Sequence, residues 1–372
     1  MMVMANRIVG FAAAMFVSSL VSCSSSSDPP SGPPAGGDGS YVIQPYETLE
    51  EYGLVRIQDG AIVMAKESVH YDLNTPLFSD YAVKERSIYL PRGTSMTYRD
   101  DGIFDFPPGA ILTKSFGFPK DFRDPKSKVT WIETRLFIRT STEWRPMVYS
   151  WDTEQKRAVQ APGGKTLPIE FIDASGAPQR ANYLVPNVNQ CPKCHAKGEE
   201  TVPIGIYAAQ MNRPHPYEGG TLANQLTKWR ELGLLQGAPA SLGGAPRLVP
   251  WDDPSSGTVA ERARSYLDGN CAYCHSATGE ARTSGLFLDL RQTAPVRLGV
   301  CKAPVAAGRA GSGLEYDIVP GSPDKSILTF RMNSTEPSVA MPELGRSLIH
   351  KEAVSLIHEW IKGLQGSCAP GK

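Results

Sequence analysis

The sequence predicts a multidomain α+β chain, with an N-terminal β-sandwich or barrel-like domain followed by a mainly α C-terminal region. Three observations carry this. Residues 41–185 hold short runs that alternate apolar and polar, separated by turn signals, which is the pattern of half-buried strands. Residues 251–372 hold two runs with apolar residues three and four apart, the helical period. The 372-residue length suits two or three domains, and 41% hydrophobic residues is enough for real cores.

The elements follow in chain order. A short helix near Thr48–Tyr52 opens the β-rich domain. Val129–Arg139 is the clearest strand, with Ile132, Thr134, Leu136 and Ile138 on one face and Trp131, Glu133, Arg135 and Phe137 on the other. Ser87–Leu90, Ala110–Phe116, Met147–Trp151, Ala158–Gln160 and Leu167–Ile172 are further strands, and Pro107–Gly109 and Pro162–Gly164 are turns between strands. Residues 186–250 carry an amphipathic helix at about Leu222–Leu232 and then a Gly- and Pro-rich stretch, Gln236–Pro250, that reads as a linker. In 251–372, Thr258 with Glu261 three residues on is a capping-box signature, and the helix it opens presents Val259, Ala263, Tyr266 and Leu267. The last helix, about Lys351–Leu364, presents Ala353, Ile357, Trp360, Ile361 and Leu364, with His350 and His358 expected on its exposed side or just before it.

Composition narrows the function. Thirty-eight basic and 38 acidic side chains give zero net charge, which argues against nucleic acid and against a polybasic membrane surface. With 35 glycines and 31 prolines, about 18% of the chain against ~12% usually, irregular segments are expected. Seven cysteines leave a remainder to explain. The first 22 residues read as an export signal: Arg7 is their only charge and Ile8–Leu20 is apolar. Leu20–Cys23 has the form of a bacterial lipobox, so Cys23 is the expected lipidation site. Residues 23–40, nearly all Ser, Pro, Gly and Asp after the cysteine, read as a disordered tether. Ser24 after Cys23 points to the outer membrane, facing the periplasm or cell surface.

Cys191-Pro192-Lys193-Cys194-His195 and Cys271-Ala272-Tyr273-Cys274-His275 are two Cys-x-x-Cys-His motifs. Two thiols a helical turn apart can form thioethers to the vinyl groups of a heme, and the following histidine can ligate its iron. Zinc knuckles would sit roughly 15–20 residues apart and need no histidine. The expected cofactors are therefore two covalent heme c groups, one in 186–250 and one in a cytochrome c-like 251–372 domain. Met341, in Ala340–Arg346, precedes the last helix as a sixth ligand would, and Met332 competes with it. Arg346 is a candidate partner for a heme propionate. The first heme has no equal candidate. Met211 and His215 follow His195, and Met64, Met96, Met147 and His70 lie in the β-rich domain. Cys301 and Cys368 remain, and in an oxidising compartment they read as a disulfide.

Several segments together resemble a family of bacterial diheme c-type cytochromes with a β-rich N-terminal domain. They include Tyr71–Ala82, Phe104–Gly109, Ile132–Leu136, Tyr183–Asn187, Asn224–Leu226, Ala263–Asp268 with Asn270, Ser284–Leu286, Leu298–Lys302, Ile318–Gly321 and Met341–Arg346. The resemblance spans about residues 46–365 and implies heme c binding and electron transfer outside the cytoplasm. In that pattern position 211 is usually Leu, which counts against Met211 as a shared ligand. The expected role is single-electron transfer between an exported redox partner and a respiratory carrier, with the membrane reached through Cys23. Two other readings stay open. One is a diheme peroxidase or oxygenase with an open first heme; the other is a binding protein whose β domain recognises a partner.

Overall fold

The computed structural model describes residues 45–305 and 308–368. The export signal, Cys23 and the tether lie outside the described residues. A β-rich N-terminal region is followed by a region with more helices, so the class is mixed α+β.

The β-rich region contains β1 (Val55–Gln58), β2 (Ala61–Met64), β3 (Ser68–His70), β4 (Val83–Tyr89), β5 (Met96–Thr97), β6 (Ile111–Pro119), β7 (Val129–Arg139), β8 (Trp144–Trp151), β9 (Ala158–Gln160), β10 (Lys165–Ile172) and β11 (Pro178–Val185). Six of them form one antiparallel sheet in the order β3-β4-β6-β7-β8-β9. β1–β2 and β10–β11 are separate hairpins. Asp59 and Gly60 turn β1 into β2 with φ of 53° and 83°, the left-handed pair that a two-residue hairpin turn needs.

The face assignment along β7 needs one correction. Ile132 is the extra residue of a bulge: Phe116 pairs with Glu133 while Gly117 pairs with Trp131. Trp131 therefore joins Leu136 and Ile138 in one core, and Ile132 packs into another with Phe116, Phe118 and Val148. Gly117 is required there, because a Cβ would meet Trp131 at 2.8 Å and Val129 at 2.5 Å. The Leu136 face is closed by Leu49, Tyr52, Leu54 and Val55.

The opposite face carries apolar residues at both ends. Ile88, Leu112 and Trp144 pack under Ile206, Met211, Leu226 and Trp229. Phe116, Phe118 and Val148 pack under Phe171, Ala181 and Tyr183 of the β10–β11 hairpin. The 186–250 segment thus shares a core with the sheet. Its Gly- and Pro-rich end is packed as well: Leu235–Gln236 runs parallel to β5, and Leu248 is fully buried with its N–H on the Ala209 carbonyl.

The helices are α1 (Cys191–His195), α2 (Ala208–Met211), α3 (Gln225–Glu231), α4 (Val259–Cys271), α5 (Ile327–Met332) and α6 (Lys351–Gly363). α3 is shorter than its apolar period suggests. Leu222–Asn224 is extended against Pro214–Pro216, and the Asn224 side chain caps the helix by accepting from the Leu226 N–H. α4 starts at Thr258 with both capping-box bonds formed. Ala263, Tyr266 and Leu267 of α4 pack with Ala353, Leu356, Ile357, Trp360 and Ile361 of α6. A disulfide joins Cys301 to Cys368 across 67 residues, a closure that contributes about 2–4 kcal/mol.

The segment Leu73–Ala82 is the seam between the two regions. Asn74 donates to the Ala209 and Asn212 carbonyls, and the Phe78 N–H bonds Asn270 on α4. The Asp80 carboxylate accepts from the Ser347 and Leu348 N–H groups, both at 2.7 Å. Burial pushes the Asp80 pKa up against those bonds.

Candidate functional site

The two Cys-x-x-Cys-His motifs lie 80 residues apart in sequence and next to each other in space. The Cys274 thiol donates to the Lys193 carbonyl at 3.2 Å and lies against the Cys194 thiol. Each motif opens onto its own cavity. The larger, about 340 Å³, is lined by Cys271, Cys274, His275, Met332, Met341 and His350 among others. The smaller, about 140 Å³, is lined by Cys191, Cys194, His195, Lys114, Arg135 and Phe137 among others. Phe78, Cys194, Tyr273, Pro342, Leu344 and Arg346 border both.

Both histidines are fixed through Nδ1. His195 Nδ1 lies 2.8 Å from the Val202 carbonyl, which can only accept, so Nδ1 carries the proton. The Val202 N–H returns a bond to the His195 carbonyl. The His195 ring also packs on Phe137 with centroids 4.6 Å apart. His275 Nδ1 lies 3.4 Å from Ser284 Oγ, whose own proton goes to the Ala281 carbonyl, so the hydroxyl accepts. In both rings Nε2 is left with a lone pair.

Burial makes these rings neutral bases. Desolvation, with Lys114 and Arg135 adding to it, lowers His195 to about 4 against the Val202 bond. Desolvation and Arg331 lower His275 to about 4. Burial, helped by Asp268, pushes the Cys271 thiol up to about 12, and burial raises Cys191 as well. Cys194 is lowered by its contact with the Cys274 thiol, and Cys274 is raised in turn. The four cysteines are free thiols, and among the described residues no three His, Cys, Asp or Glu side chains converge on one point to hold a metal ion.

In the larger cavity Met341 and His275 line the same space. The Met341 loop is held by its N–H on the Arg331 carbonyl and by Arg346, whose Nη2 donates to the Met341 and Ser334 carbonyls at 2.8 Å. Arg346 is therefore a clamp on this loop. Met332 also lines the cavity but packs into the α4–α6 core. His350 differs from the sequence expectation. It is turned inward, stacks on Phe78 with centroids 4.1 Å apart and bonds the Tyr266 hydroxyl through Nδ1. Burial, with Lys84 and Arg346 adding to it, lowers it to about 3. Its signal in the sequence was faint, since it sits just outside the helical period. His358 is half exposed beside Asp324.

Among the described residues the smaller cavity holds no equivalent methionine sulfur. Met147 borders it, but Met147 pairs with Leu136 across the strands and packs with Tyr149 and Trp151 on the opposite face. Met211 and Met96 are buried in the core with Trp229, and Met64 lies on the β1–β2 hairpin. His215 is buried and bonds His70 at 3.1 Å, while His70 bonds Glu85. None of these lines the cavity beyond Met147.

No family model, curated protein or solved structure matches the chain. No helix among the described residues is long and apolar enough to cross a membrane.

Proposed function

We propose that the protein is an exported diheme c-type cytochrome that passes single electrons between an exported redox partner and a respiratory carrier. The observation that carries this reading is the pairing of each Cys-x-x-Cys-His motif with a cavity and with a histidine bound at Nδ1 and open at Nε2. That tautomer is the one an iron ligand needs, and the partner on the other nitrogen orients the ring. The residues fit a covalently attached heme. Two thiols stand a turn apart, the imidazoles are neutral, and the thiols of Cys191 and Cys271 are kept as thiols by burial. When bound, such a group supplies a one-electron iron couple.

Cys191, Cys194 and His195 would hold the first heme, and Cys271, Cys274 and His275 the second. Met341 would complete the second site. Its thioether favours ferrous iron and raises the potential. Contact between Cys194 and Cys274, with Tyr273 bordering both cavities, supports direct exchange between the sites. α4 and α6 packed around the larger cavity support a cytochrome c-like domain, and the sheet with its two covering hairpins supports a sandwich-like β domain. Lipidation at Cys23, an outer-membrane location and membership of the resembling diheme family belong to the same reading.

One observation favours a second reading. Met147 is turned away from the smaller cavity and no other methionine lines it, so an open first heme would suit peroxidase or oxygenase chemistry. Redox titration and visible spectra of wild type beside Met341→Ala separate these. Electron transfer predicts a low-spin second heme, no peroxide turnover at either heme, and a lower potential at one heme in the variant. Unchanged spin state and potentials in Met341→Ala contradict the ligand assignment. A high-spin, peroxide-reactive heme with turnover in wild type contradicts the carrier role.

A further inference from the structure

The middle of the sheet face under the smaller cavity carries cations where neighbours on the same face are apolar. Arg86 on β4 pairs directly with Lys114 on β6, and Lys114 pairs directly with Arg135 on β7. Like charges directly opposite each other across strands are destabilising. Arg86 is buried and Lys114 and Arg135 are half-buried, and charges drawn out of water are costly unless paired. Two members of the row have carboxylates: Asp72 lies 3.6 Å from Arg86, and Glu133 lies 2.6 Å from Arg135 and also accepts from the Tyr183 hydroxyl. Lys114, in the centre, has none among the described residues. Its ammonium lies over the face of Phe116, at 4.9 Å from the ring centroid, and Arg135 sits over the same ring at 4.4 Å. Lys84, a row away, donates to the Ala82 carbonyl. Arg346 reaches the same cavity from the C-terminal loop; its bonds go to carbonyls, and it has no carboxylate at ion-pair distance among the described residues.

The cavity beside His195 is thus lined by Lys114, Arg135 and Arg346 and, among the described residues, by no carboxylate. A ligand that fills it must bring negative charge. We propose that Lys114, with Arg135 beside it and Arg346 from the loop, is a carboxylate-binding seat, and that the carboxylates it takes are the propionates of the heme attached at Cys191 and Cys194. The inference rests on the heme reading of that motif. It also gives the row a reason. An apolar side chain at 114 would continue the cores on either side of it, whereas a cation there complements an acidic group brought by the ligand.

Removing a cation beside a heme favours the ferric form, because that form carries the extra positive charge. The test is a redox titration of the heme-loaded protein as wild type, Lys114→Met and Lys114→Arg, from pH 5 to 8, with covalent heme counted in each. The heme to follow is the one whose potential Met341→Ala leaves unchanged. Lys114→Met is expected to shift its ferric-to-ferrous ratio about threefold to tenfold at fixed potential, equal to roughly 30–60 mV downward for a one-electron couple. Its potential is also expected to fall more steeply than that of wild type as pH rises, since a propionate freed from Lys114 takes up a proton more easily. Burial lowers Lys84, a row away, to about 7, so every form carries its titration and profiles are compared with wild type. Lys114→Arg should restore both the wild-type potential and the wild-type pH profile. A lowered potential with the wild-type pH profile in Lys114→Met means a distant charge effect and overturns the propionate contact. Unchanged potentials overturn the seat. A saturable shift of the wild-type potential on adding sulfate, absent from Lys114→Met, shows that a free anion occupies the row and overturns the assignment. Full covalent heme with unshifted potentials leaves the heme reading standing, whereas no covalent heme at Cys191 and Cys194 overturns both.

Discussion

The cavities at His195 and His275 start from the same five-residue motif and are built from different materials. The His275 cavity sits in the helical region, between α4 and α6, with two methionines and an inward-facing histidine on its wall. The His195 cavity sits on a sheet, with a short helix above it and a row of cations beneath. One is rich in soft or imidazole ligands; the other is rich in positive charge. The lesson is that the motif specifies attachment, and the surface facing it specifies chemistry. On the heme reading proposed above, ligand softness would govern the iron couple at the first kind of wall, and fixed charge at the second.

This contrast can be broken from either side. The largest effect is expected from Ile357→Ala. Ile357 is fully buried between α4 and α6, and truncating it costs about 2–5 kcal/mol. Thermal unfolding followed at each heme's own absorption should show the Met341-sensitive signal lost first, because the sheet cores lack this residue. Loss of both signals together would mean that the seam at Leu73–Ala82 couples the regions into one unfolding unit.

A smaller effect is expected at His350. Its folded-state pKa is depressed to about 3 against an ordinary ~6.5, so between those values the unfolded chain binds a proton that the folded chain does not. Stability from this group is therefore full above about pH 6.5 and is lost as pH falls toward about 3, at up to about 1.4 kcal/mol per pH unit. His350→Phe keeps a ring to stack on Phe78 and removes the titration. Its stability should fall less steeply with acid than that of wild type in denaturant melts between pH 4 and 7. Parallel pH profiles would show that His350 is not the group responsible.

The sequence makes parts of this visible and hides others for physical reasons. Val129–Arg139 and Ala158–Gln160 match their observed strands because alternation and flanking turns agree there. The Thr258 cap is equally plain, because it is a local hydrogen-bond pattern. β1 and β2 are only four residues each, too short for alternation to mark them, and Asp59-Gly60 between them is a local hairpin signal. The bulge at Ile132 could not be read from β7 alone, since it depends on Gly117 of the neighbouring strand. At the site, the two motifs, Met341 and the Cys301–Cys368 pair are local or countable features. The row of Arg86, Lys114 and Arg135 is neither: its members sit on three strands, and only the register brings them together. For the same reason the inward turn of Met147 away from the smaller cavity, and of His350 into the larger one, appears only in three dimensions.

The central claim is that the chain carries two covalent hemes, one on each motif. It is tested most directly by counting heme c per chain, as the alkaline pyridine complex of purified protein, in wild type, Cys191→Ala/Cys194→Ala and Cys271→Ala/Cys274→Ala. The account predicts two in wild type and one in each double variant, with the surviving heme keeping its own potential. No covalent heme in wild type, or an unchanged count in either variant, would contradict it.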